Sequence, residues 1–104
     1  MSKLIYLDNA ATTQVYPEVL DAMLPYFTEH FGNPSSIYGI GQDSKTAITN
    51  ARLQVAALIH ADPSEVFFNA GGTESDNWAL KGVMEANKAK GKHLVTTAVE
   101  HHAI

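Results

Sequence analysis

Between Val66 and Ile104 the residue pattern changes period three times, and that alternation constrains the fold more than any other feature of the chain. Val66-Phe67-Phe68-Asn69 is a short apolar run of β type, and Gly71-Gly72 follows it closely. From Glu74 to about Lys90, Ala79, Leu80, Val83 and Met84 recur at helical spacing, and Gly91 supplies a stop. His93 to Thr97 is a second β-type run, and Glu100-His101-His102-Ala103-Ile104 reads as the start of a further helix. Strand, helix, strand, helix in that order predicts an α/β fold with a mainly parallel sheet. The sequence stops just as its last element begins, an unusual place for a domain to finish.

Upstream, Leu4-Ile5-Tyr6-Leu7 is strand-like and gives way to the small polar run Asp8 to Thr13. Pro17 to about Thr28 places Val19, Leu20, Met23, Leu24 and Phe27 at helical spacing. Pro17 suits a first helical turn, whereas Pro25 removes a donor inside the pattern and predicts a kink or an early end. Phe31 to Gly41 is rich in turn formers, yet Phe31, Ile37, Tyr38 and Ile40 argue for an ordered loop over a floppy linker. A second helix is expected from about Asp43 to Ile59, with Ile48, Ala51, Val55, Leu58 and Ile59 as its buried stripe. Asp62-Pro63-Ser64 is a turn.

The function classes are narrowed by what is missing. A net charge of −4 with scattered lysines leaves no basic stripe for nucleic acid. Neither a signal peptide nor a membrane-spanning apolar run is present, so the chain reads as soluble and cytoplasmic. It has no cysteine, which excludes disulfides, thiolate metal sites and a cysteine nucleophile within these residues. At 104 residues and 45% hydrophobic content, one modest core is the expectation.

Gly71-Gly72-Thr73 is the first candidate site. Glycines let a ligand approach the backbone, and the free N–H groups of a new helix point outward with the positive end of its dipole. Thr73 adds a hydroxyl. The same residues also read as a plain strand-to-helix connection, with Thr73 as N-cap and Asp76 three positions on. Glu74 and Asp76 would compete with an anion for the dipole. A nucleotide P-loop is excluded, since no lysine follows the glycines. Glu100-His101-His102 is the second candidate. Neighbouring histidines point in different directions and make a poor metal pair, although one imidazole at a strand's carboxyl end can face a ligand.

Taken together, four segments resemble the N-terminal portion of the cysteine desulfurases, pyridoxal 5'-phosphate (PLP) enzymes of the class V aminotransferase family. They are Tyr6-Leu7-Asp8-Asn9-Ala10-Ala11-Thr12-Thr13, Phe31-Gly32-Asn33-Pro34-Ser35-Ser36, Gly71-Gly72-Thr73-Glu74-Ser75-Asp76-Asn77 and Glu100-His101-His102-Ala103. The resemblance implies the opening part of a fold-type-I large domain from residue 15 to 104, with residues 1–14 joining the small domain. It implies that Gly72 and Thr73 cradle the cofactor's phosphate. His101 would stack on the pyridine ring and assist proton transfers. The Asp8–Thr13 and Gly32–Ser36 segments would lie near the substrate entrance.

The implied reaction converts L-cysteine to L-alanine and passes sulfur on as an enzyme persulfide. A sulfur acceptor or iron–sulfur scaffold protein and a second subunit are the partners it implies. The family's Schiff-base lysine, the aspartate at the pyridine nitrogen, the carboxylate-binding arginine and the persulfide cysteine have no counterpart among these residues. The chain therefore reads as about a quarter of an enzyme, inactive alone. Selenocysteine lyase or another class V member is the same-fold alternative. A short phosphate- or PLP-binding protein, or a desulfurase partner, is the alternative of another class.

Overall fold

Prolines and glycines, more than apolar spacing, mark where the helices of this chain begin. The computed structural model describes residues 4–104, which fall into two units, one reaching to Pro63 and the other from Ser64 to Ile104. No described helix is long and apolar enough to cross a membrane.

In the first unit, α1 (Pro17–Met23) and α2 (Pro25–Thr28) divide the single expected helical pattern at Pro25. Leu24 keeps right-handed helical angles and its N–H still reaches the Leu20 carbonyl, but Pro25 has no N–H with which to continue. Helix α3 (Gly39–Leu58) starts four residues before the expected Asp43. The reason is close packing. A Cβ on Gly32 would sit 2.2 Å from the Ile40 carbonyl oxygen, and one on Gly41 would sit 2.5 Å from that of Asn33. The loop backbone thus lies directly on the first turn of α3, where only glycine fits.

Polar groups then tie the two together. The Ser44 hydroxyl donates to the His30 carbonyl at 3.1 Å, and Gln42 Nε2 donates to the Ser36 carbonyl at 2.6 Å. The Ser35 N–H donates to Asn33 Oδ1, closing the loop on itself. The buried positions on α3 are Gly41, Ser44 and Ala56. The expected stripe is corrected accordingly, because Leu58 and Ile59 are 79% and 60% exposed and Ile48 and Val55 are only partly covered. Helix α3 ends in a Schellman arrangement. Ala61 N–H donates to the Ala56 carbonyl, His60 N–H to that of Ala57, and His60 takes a left-handed φ of 55°.

The second unit opens with a 3-10 turn whose residues, Pro63–Glu65, straddle the division. Helix α4 (Gly72–Ala86) follows. It ends before the expected Lys90 because Asn87 Nδ2 donates to the Val83 carbonyl and closes the last turn ahead of Gly91. Phe67 meets Trp78 edge to face, 5.3 Å between ring centres.

The three expected strands, Leu4–Leu7, Val66–Asn69 and His93–Thr97, are not formed as strands among the described residues. A strand exists through the ladder of hydrogen bonds to its neighbour, and these apolar runs are too short to hold an extended shape without one. The expected helix start at Glu100 is likewise a turn, closed by Ile104 N–H on the His101 carbonyl.

Candidate functional site

The start of α4 is built by side chains that reach back over two glycines. Gly71 is the N-cap, with φ 151°, a conformation that side-chain-bearing residues rarely adopt. Thr73 is therefore not the cap; it lies at the second helical position and makes no capping bond. Asn69 Oδ1 accepts the Gly71 N–H at 3.1 Å, and Asn69 Nδ2 donates to the Ser75 hydroxyl at 2.7 Å. That hydroxyl in turn donates to the Gly71 carbonyl at 3.2 Å. Glu74 reaches back so that its Oε2 accepts the Ala70 N–H at 2.6 Å, a capping box displaced by one residue.

This arrangement separates two sets of donors. The N–H groups of Ala70 and Gly71 are taken by side chains, whereas no backbone acceptor among the described residues serves those of Gly72, Thr73 and Glu74. Next to them lies a cavity of about 560 Å³ lined by Ala70, Gly71, Thr73, Glu74 and Asn77. A Cβ built on Gly71 or Gly72 meets nothing within 4 Å, so the space beside the turn is open. Three N–H donors, a hydroxyl and the positive helix end suit a small multivalent anion such as a phosphate monoester. Glu74 shares the cavity, and its carboxylate is held by Ala70 at the rim of that donor set.

Of the sequence-derived residues, Thr73 lines the cavity, Gly72 supplies the first helical N–H, and His101 does not line it. His101 sits in the exposed turn near Ile104. Its Nδ1 accepts the Ala103 N–H at 3.1 Å, and its ring lies 4.0 Å from that of His102, tilted 33°. A nitrogen that accepts a backbone hydrogen carries no proton of its own, so the neutral ring is protonated at Nε2. Asn77 joins the two places: Nδ2 donates to the Thr73 carbonyl at 3.0 Å and to the Ala103 carbonyl at 2.7 Å. Sequence reasoning gave Asn69 and Asn77 no role. The one signal for Asn77 was its spacing of four from Thr73, which puts both on one face of α4.

Among the other segments of the resemblance, Gly32–Ser36 is accounted for by its packing on α3, and Asp8 closes a turn by accepting the Ala11 N–H.

The regular elements of the described residues are thus helices only, and the start of α4 is the one that opens beside a cavity lined by Thr73 and Asn77. The family model described as aminotransferase class-V matches residues 5–104, and the chain belongs to that family. It is 57% identical over 103 residues to "Cysteine desulfurase IscS" of Methanosarcina thermophila, a match covering 99% of this chain and 26% of that protein. The protein of the same name from Clostridium botulinum (strain Kyoto / Type A2) is 54% identical over 104 residues, covering 100% and 26%. A solved structure described as a NifS-like protein superposes with a TM-score of 0.87 at 40% identity, covering 95% of this chain and 27% of the other. The chain thus spans about a quarter of the length of the relatives it matches. The α/β class, as the incomplete large domain of a fold-type-I PLP protein, stands on that superposition.

Proposed function

We propose that this chain is the N-terminal part of a PLP-dependent cysteine desulfurase, and that the α4 start holds the cofactor's phosphate. The observation that carries the reading is the set of N–H groups at Gly72, Thr73 and Glu74 beside the Thr73 hydroxyl and an open cavity. It gains support from 57% identity to a protein named as a cysteine desulfurase. When bound, PLP supplies an electron sink for the carbon from which sulfur leaves as L-cysteine becomes L-alanine.

The residues here have binding and proton-handling work. Gly72 and Thr73 offer N–H donors without rearrangement, since the Asn69–Ser75–Gly71 bonds already fix the turn. The Thr73 hydroxyl adds a donor that can rotate to an anionic oxygen. His101 is the catalytic residue of the set. Its ring is oriented through Nδ1, and Nε2–H is left as the outward-facing donor. The Schiff-base lysine and the sulfur-accepting cysteine belong to residues outside this chain.

In the same reading, residues 1–14 join the small domain and residues 15–104 open the large one; the first three lie outside the described residues. The enzyme is a cytoplasmic homodimer that hands sulfur to an acceptor or iron–sulfur scaffold protein. The test uses the enzyme of the relatives' length that carries this sequence. It should contain PLP and release alanine from cysteine in step with sulfide under reducing conditions. Cofactor-free protein with no turnover of cysteine, or turnover of selenocysteine alone, overturns the proposal.

A further inference from the structure

We propose that Asn77 is a positioning residue for His101, clamping the C-terminal turn to the first turn of α4. The proposal rests on the reading of His101 given above and adds a residue that acts through it. Both amide hydrogens of Asn77 are engaged, one on the Thr73 carbonyl at 3.0 Å and one on the Ala103 carbonyl at 2.7 Å. The second bond spans 26 residues. The neighbouring bonds of Asn69, Ser75 and Glu74 join residues no more than six apart, so they shape the turn without reaching the histidine.

Ala103 is the link. Its carbonyl is held by Asn77, and its N–H is the donor to His101 Nδ1. Asn77 and Ala103 are half-buried, whereas Gly72, Thr73 and His101 are exposed. The Asn77–Ala103 bond is therefore the part of this assembly best shielded from water, where a hydrogen bond holds its geometry best. Asn77 also lines the cavity beside Thr73. One side chain thus reaches from the first turn of α4 and, through one backbone residue, sets the orientation and tautomer of an imidazole. A partner of this kind, one bond removed from the working group, acts through the geometry it holds.

Asn77→Asp keeps the shape but replaces both donors with a carboxylate facing two carbonyl oxygens. The decisive readout is the imidazole 15N spectrum of full-length protein labelled at histidine, with amide exchange at Ala103. In the parent protein the neutral His101 ring should be the Nε2–H tautomer. In Asn77→Asp it should become a mixture, and Ala103 amide exchange should quicken by about tenfold or more. Alanine formation should fall by a similar factor, and Asn77→Ala placed on His101→Ala should add less than a further twofold loss. An Nδ1–H tautomer in the parent protein overturns the proposal without any variant. So does an unchanged His101 spectrum in Asn77→Asp, or losses that multiply in the double variant. The spectra need neither cofactor nor turnover, so a failed desulfurase reading shows as an inactive parent whose His101 signature still depends on Asn77.

Discussion

Two helix starts in this chain are rich in glycine, and they use it for opposite ends. At α3, glycine makes room for protein: Cβ atoms on Gly32 and Gly41 would fall 2.2 and 2.5 Å from backbone oxygens. At α4, a Cβ on Gly71 or Gly72 would meet nothing within 4 Å. The first start is sealed, with Gly41 and Ser44 buried, while α4 has no buried residue at all. A glycine pair at a helix start is therefore not by itself the mark of a ligand site. What distinguishes α4 is that both of its glycines border empty space, whereas at α3 only Gly39 does, and that a cavity lies beside Thr73 and Glu74.

Gly41→Ala should give the largest effect. The new methyl group must displace backbone at Asn33 as well as the Ser36 side chain, at a cost of about 3 kcal/mol. Denaturant unfolding of the full-length protein measures it. Gly72→Ala is the counterpart: its methyl enters open space, so stability should hold or rise by about 0.5 kcal/mol while PLP retention falls. Equal destabilisation by the two substitutions would break the comparison.

Gly71→Ala comes next. Nothing crowds a methyl there, but φ 151° excludes side chains on conformational grounds, and about 2 kcal/mol is the expected loss. Relaxation of the turn would also redirect the Gly72 and Thr73 N–H groups, so cofactor affinity should fall with stability. Thr73→Ala separates those two quantities. Thr73 caps nothing, so the midpoint of unfolding should not move, while PLP should bind about tenfold more weakly for the loss of one donor to a charged oxygen. A lowered midpoint with unchanged PLP affinity would return Thr73 to a purely structural role.

These contrasts also explain what the sequence made legible. The break at Pro25 and the glycine turn before α4 are local, decided by residues within a few positions of each other, and both can be read directly. The start of α3 could not be: Gly39 and Gly41 look like loop residues until Gly32 and Asn33 are known to lie against Ile40 and Gly41. The strands at Leu4, Val66 and His93 carry the right residues but need partners distant in sequence. The α3 stripe at Leu58 and Ile59 stays exposed for the same reason. With Ile37 94% and Val99 90% exposed as well, the 104-residue chain on its own should self-associate, which light scattering would detect. The Asn77 clamp depends on a contact 26 residues away and left only its helical spacing as a trace.

His60 offers the smallest and sharpest variation on the comparison. It closes the other end of α3, where φ is 55° and a Schellman arrangement would favour glycine. Here the left-handed conformation is required, yet the residue has a Cβ, the reverse of Gly72, which has neither the strain nor the crowding. His60→Gly should relieve about 1 kcal/mol of backbone strain, partly offset by the greater freedom of glycine in the unfolded chain. The unfolding midpoint should rise by a degree or more, on the order expected for such an increment in a protein of the relatives' size. PLP affinity should not change. A fall in the midpoint would mean that the His60 side chain contributes more than its backbone costs, and the conformational account of glycine at Gly71 would then need the same scrutiny.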